Sequence, residues 1–147
     1  MQHWLKIGIG VVLAVAAGFV AHMHVVAQTY YPSLRVQAPE GLMYVVVQDE
    51  RAERRECGAA NERFLARIKQ GCKECRILAA RCTRELEEPL ERDLYKAVPV
   101  KHATVVAPGM RMAIVGPQAL AEKSCQLIAQ EAQRQGAGTT ACRRAAL

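Results

Sequence analysis

Cys72-Lys73-Glu74-Cys75 is the arrangement in this chain best suited to chemistry, because two thiols three positions apart can close a disulfide or share a metal ion. A thiol-redox site needs such a pair at a helix N-terminus, where the helix dipole stabilises the thiolate. Here a helical pattern stops at Gln70-Gly71, just before the pair, and an extended apolar stretch follows it. The dipole is at the wrong end. The pair reads as a local structural bridge, with periplasmic thiol–disulfide exchange through Cys72 and Cys75 as the alternative. A zinc site would have to gather Cys72, Cys75, Cys82 and His102, yet a second Cys-x-x-Cys and a His pair are both missing. No metal and no cofactor is expected.

The other cysteines fit the same structural reading. Cys57, Cys72, Cys75, Cys82, Cys125 and Cys142 make an even set of six, all beyond the N-terminal apolar segment. In an exported domain this suggests up to three disulfides. Helix and strand rise narrow the pairing. From Cys57 to the expected helix end near Lys69 is roughly 18 Å at 1.5 Å per residue. A returning strand retraces that in about five or six residues. Cys82 therefore lies nearer the level of Cys57 than Cys75 does. In the second half, Cys142 is the local partner for Cys125. The expected bridges are Cys57–Cys82, Cys72–Cys75 and Cys125–Cys142.

Further catalytic constellations are wanting. Ser33 and Ser124 sit at no sharp turn with a histidine partner, and there is no Gly-x-Ser-x-Gly. Gly136-Ala137-Gly138 closes a helical stretch and forms no phosphate loop. Glu85, Glu87, Glu88 and Glu91 crowd one short helix and read as a solvated face. The net charge of +6 comes from twenty basic and fourteen acidic residues. Arg51, Arg54 and Arg55 alternate with Glu50, Glu53 and Glu56 as a self-paired helix surface, so nucleic acid is not an expected partner. The chain reads as non-enzymatic.

The elements that would carry these residues come in two similar runs. Gly41 and Gly109, Val47 and Val115, and Cys57 and Cys125 are each 68 positions apart, and Cys75-Arg76 answers Cys142-Arg143 with a slip of one. Strands are expected over 34–37 and 42–48, a helix over 50–70, and a return strand over 76–82. A short helix over 84–97 follows, in which Pro89 would sit comfortably only in the first turn. Then come a hairpin of 102–106 with 110–115, a helix over 118–135 and a last strand over 139–145. The expected class is α+β: a duplicated β-α-β body in a ferredoxin-like split arrangement, disulfide-stapled, with helices on one sheet face. Repeat one spans 42–82, an inter-repeat segment 83–101, and repeat two 102–147.

The N-terminus sets the compartment. Ile7 to Ala27 is long and apolar enough for a transmembrane helix, with Lys6 on the cytoplasmic side. The competing reading is a signal peptide, with Val25 and Ala27 preceding a cleavage site before Gln28. Residues 1–27 are therefore a signal-anchor or signal peptide, and the anchor is preferred. Residues 28–41 would tether the body, and residues 42–147 would form a periplasmic domain of a single-pass inner-membrane protein. Cleavage would instead leave it soluble in the periplasm.

The ordered pattern of Cys57, Gly71-Cys72-Lys73-Glu74-Cys75-Arg76, Cys82, Pro108-Gly109-Met110-Arg111, Val115-Gly116-Pro117, Cys125 and Cys142 resembles small exported bacterial proteins associated with surface-polysaccharide biosynthesis regions. That resemblance implies an envelope protein, and no catalytic residue comes with it. The expected role is an accessory contact with an envelope protein partner. The inter-repeat segment departs from the duplication, so Leu86, Leu90, Leu94 and Lys101 are the expected contact residues.

Overall fold

Leu42 to Val47 is an uninterrupted apolar run, and a strand with no polar alternation must be covered on both faces. The computed structural model, which describes residues 29–147, builds the molecule around that requirement. Six strands form one sheet: β1 (Tyr31–Gln37), β2 (Met43–Gln48), β3 (Arg76–Thr83), β4 (Ala103–Ala107), β5 (Met110–Val115) and β6 (Ala141–Arg143). Their order is β3-β1-β2-β5-β4-β6, and every neighbouring pair is antiparallel. Helices α1 (Arg54–Gly71) and α3 (Gln118–Arg134) join β2 to β3 and β5 to β6, and α2 (Pro89–Tyr95) lies between the two runs. This is a mixed α/β fold with three disulfides.

Two cores follow from the period-two alternation of the inner strands. Leu34, Val46, Val105, Met112 and Ile114 pack with Ala121 and Cys125 of α3 and with Phe64 and Leu65 of α1. Val45, Val47 and Ala113 point the other way and pack with Leu86, Leu90 and Leu94 on the α2 side. The sheet is thus covered on both faces, whereas one covered face was expected. The three leucines repeat every fourth residue, which suits a row of side chains laid onto a sheet.

β1 is the largest departure from expectation. The expected strand over 34–37 extends back to Tyr31, so half of the expected tether of residues 28–41 lies inside the sheet between β3 and β2. Ser33, Leu34 and Val36 are buried. Pro32 is tolerated there because it lies one residue beyond the first β1–β2 pair, Ser33 with Val47. The chain is anchored from Tyr30 on, whose N–H and C=O both bond Arg51 at 2.8 Å.

Local chemistry sets the remaining boundaries. Glu50 to Glu53 precede α1 instead of opening it, since Arg51 is committed to Tyr30. The helix expected over 84–97 is shorter, Pro89–Tyr95, and begins at the proline, which therefore falls in its first turn. Gly109, at φ 75°, closes the two-residue β4–β5 turn in a conformation that suits glycine. Gly116 has a second reason: at φ 151° a Cβ would meet Leu42 Cδ2 at 2.7 Å. β6 is shorter than expected, with three residues. The signal-anchor assigned to 1–27 lies outside the described residues; among those described, no helix is long and apolar enough to cross a membrane.

Candidate functional site

All six cysteines are bridged. Cys57–Cys82, with Cα atoms 5.9 Å apart, ties α1 to β3, and Cys125–Cys142, at 5.5 Å, ties α3 to β6. Both join a helix to the outermost strand of its half. In bonding, then, Cys142 is the counterpart of Cys82 and not of Cys75, which corrects the alignment of the two runs at their ends. Cys72–Cys75 closes the turn from α1 into β3.

The position of that short bridge decides its chemistry. Cys72 is the C-cap of α1, and its N–H donates to Ile68 O at 2.7 Å. The negative end of the helix dipole disfavours a thiolate there. Cys72, Cys75 and Cys82 are all committed to sulfur partners, so none is free for zinc. His102 immediately precedes β4, four strand positions from β3 in the sheet order, or roughly 19 Å at the usual strand spacing. It lines a cavity of about 150 Å³ with Lys101, Gln118 and Glu122.

The expected contact surface is mostly interior. Leu86 and Leu94 are 8% and 1% exposed, and Leu90 is half-buried beside them. These leucines fill the second core and are not available to a partner; Lys101 alone of the four is exposed. Val98, just past α2, is exposed at 46%.

Charges on the α2 side fall into two groups. Glu91 is 3% exposed and sits 3.4 Å from Arg35 Nε and 3.7 Å from Arg81 Nη2. Glu88 adds a second pairing to Arg35 at 3.4 Å. The glutamates expected as a solvated face thus include one buried counter-ion that holds α2 to β1 and β3. At the end of α2, Tyr95 donates its hydroxyl to the Glu50 carboxylate. That hydrogen bond holds the Glu50 carboxyl below its ordinary range and, with burial and nearby charge, pushes the Tyr95 hydroxyl up.

The second group is Arg111, Arg143 and Arg144. They line a cleft of about 90 Å³ between β4, β5, β6 and the segment after α2, over a floor that includes Leu94, Val100 and Val106. Arg111 Nη1 donates to Tyr95 O at 3.0 Å, while its Nε is buried with no acceptor. Among the described residues none of these three arginines has a carboxylate within ion-pair distance. In the sequence Arg143 served only as a repeat marker and Arg111 only within the pattern that carries the resemblance. The missed signal was Arg111 itself, one charge within the apolar strand Met110–Val115.

Compared with known protein families, curated proteins and solved structures, the chain finds no match.

Proposed function

We propose that the chain is a non-enzymatic, membrane-tethered periplasmic module that serves bacterial envelope or surface-polysaccharide assembly by contacting an envelope protein. The observation that carries this reading is the complete pairing of six cysteines in a body of this size, behind an apolar N-terminal segment. Such bridges persist in oxidising compartments and rarely in the cytosol. A further part of the proposal is that the body is one duplicated unit. Each half has a β-α-β run split by a strand of the same half, as in ferredoxin-like arrangements. Val45 pairs with Ala113 across the middle of the sheet, and these two are 68 positions apart (113 − 45), the spacing of the repeat itself.

The alternative is a thiol–disulfide oxidoreductase using Cys72 and Cys75. The helix C-terminal setting argues against it. Complementation separates the two. In the source strain lacking the gene, the Cys72→Ser/Cys75→Ser protein is expected to restore surface polysaccharide to the wild-type level. Loss of complementation by a variant that accumulates and keeps the other two bridges would overturn the non-enzymatic reading.

A further inference from the structure

We propose that the cleft between Arg111, Arg143 and Arg144 binds the phosphate of a phosphate ester whose adjoining carbon atoms rest on the apolar floor. The inference does not depend on where the protein resides or on what it contacts.

One sheet face carries two contrasting arginine groups. α2 runs between two arginine groups. On its β1–β3 flank, Arg35 and Arg81 are compensated by Glu91 and Glu88. On its β4–β6 flank, Arg111, Arg143 and Arg144 gather round a cavity with no acid among the described residues. Like charges gathered at one cleft repel one another, and Arg111 also keeps a buried Nε with no acceptor, a cost that a counter-ion would offset. The protein supplies that counter-ion on one flank and leaves it out on the other.

The lining selects the counter-ion. Arginine forks match oxyanions, and a carboxylate is filled by one fork. Three guanidinium groups suit the larger charge and oxygen count of a phosphate. Arg111 is held in place by its bond to Tyr95 O. The main chain carrying Arg143 and Arg144 is held by the Cys125–Cys142 bridge immediately before them and by the Ala146 N–H to Val100 O bond just after. Leu94, Val98, Val100 and Val106 then offer an apolar path leading from the phosphate. A free inorganic anion would leave that path unused.

The test uses the full-length oxidised protein in a nonionic detergent, titrated with inorganic phosphate, monohexyl phosphate, hexanol and dihexanoylphosphatidylglycerol. Binding is read by calorimetry and by the arginine Nε resonances. Monohexyl phosphate is expected to saturate, to shift Arg111 Nε, and to bind roughly tenfold tighter than inorganic phosphate, the gain from about two buried methylenes. Arg143→Gln with Arg144→Gln is expected to weaken it at least tenfold; these exposed positions keep the test valid even if Arg111→Gln does not fold. Arg134→Gln, on the exposed end of α3, is expected to change nothing. Equal binding by the lipid and the monoester supports a lipid headgroup as the source of the phosphate, and binding of the monoester alone supports a soluble one. The proposal is overturned by the absence of saturable phosphate binding, by undiminished affinity in the double variant, or by hexanol binding as tightly as its phosphate.

Discussion

Tyr95 and Glu50 meet although 45 positions separate them, one at the end of α2 and the other in the loop before α1. Both groups shift on folding, in opposite directions. The Glu50 carboxyl titrates below its ordinary range, so its contribution is complete above about pH 4.3 and is lost as pH falls through the folded value. The Tyr95 hydroxyl titrates above its ordinary range, so its contribution is complete below about pH 10 and is lost as pH rises towards the folded value. The pair is largely solvated and worth at most ~1 kcal/mol. Tyr95→Phe keeps the edge-to-face contact with Tyr31 at 5.0 Å and removes the bond. Melting temperature followed from pH 3 to pH 11 should therefore show shallower slopes at both ends in the variant. Unchanged slopes would mean that the bond is absent in solution. Neither this pair nor Arg111 with Tyr95 was legible in the sequence, because each depends on where α2 docks. The cysteine pairs were legible, because helix and strand rise bring Cys82 towards the level of Cys57, Cys142 is the local partner of Cys125, and Cys72 and Cys75 remain as close neighbours.

Periodicity placed α1, α3 and the strands beside them, whereas only the second half of β1, residues 34–37, and none of the docking of α2 could be read locally. Val36 and Leu34 alternate as a strand should, but the pattern is only seven residues long and begins Tyr31-Pro32, which imitates an extended tether. α2 has an apolar side that any partner could cover, and only the sheet's unclaimed face reveals that the partner is internal. The bridges bear different loads on these elements. They close loops with sequence separations of 25, 17 and 3 residues, for which chain entropy gives about 3.5, 3 and 2 kcal/mol respectively. Urea unfolding of the three double-serine variants should follow that order, with Cys72→Ser/Cys75→Ser the mildest. Cys125→Ser/Cys142→Ser is expected to have an additional local effect, because β6 has three residues and pairs with β4 alone. If the short bridge proved the costliest to remove, the view of it as a turn clasp would fail.

At the scale of the whole molecule, the question is whether the two halves behave as one body. The proposed duplication implies two units, and the strand order, symmetric about its middle, brings the two halves together through β2 and β5. Six residue pairs line that junction, from Met43–Val115 to Gln48–Met110. Both of its faces are covered: Val45, Val46, Val47, Ala113 and Ile114 are each at most 2% exposed. The two edges differ from this centre. β3 has alternately exposed residues, Leu78 is 46% exposed, and β6 is short. A hydrophobic interior lying on the junction, instead of within each half, makes separate unfolding of the halves costly. Native-state hydrogen exchange should therefore find the slowest amides in β2 and β5, opening together with the free energy of global unfolding. Amides of β3 and β6 should exchange through smaller openings, those of β6 more slowly while Cys125–Cys142 is intact. Two sets of slow amides with different opening energies, one in β1–β3 and one in β4–β6, would instead establish a pair of independently stable units. The two halves would then form a tandem array and not a single shared core.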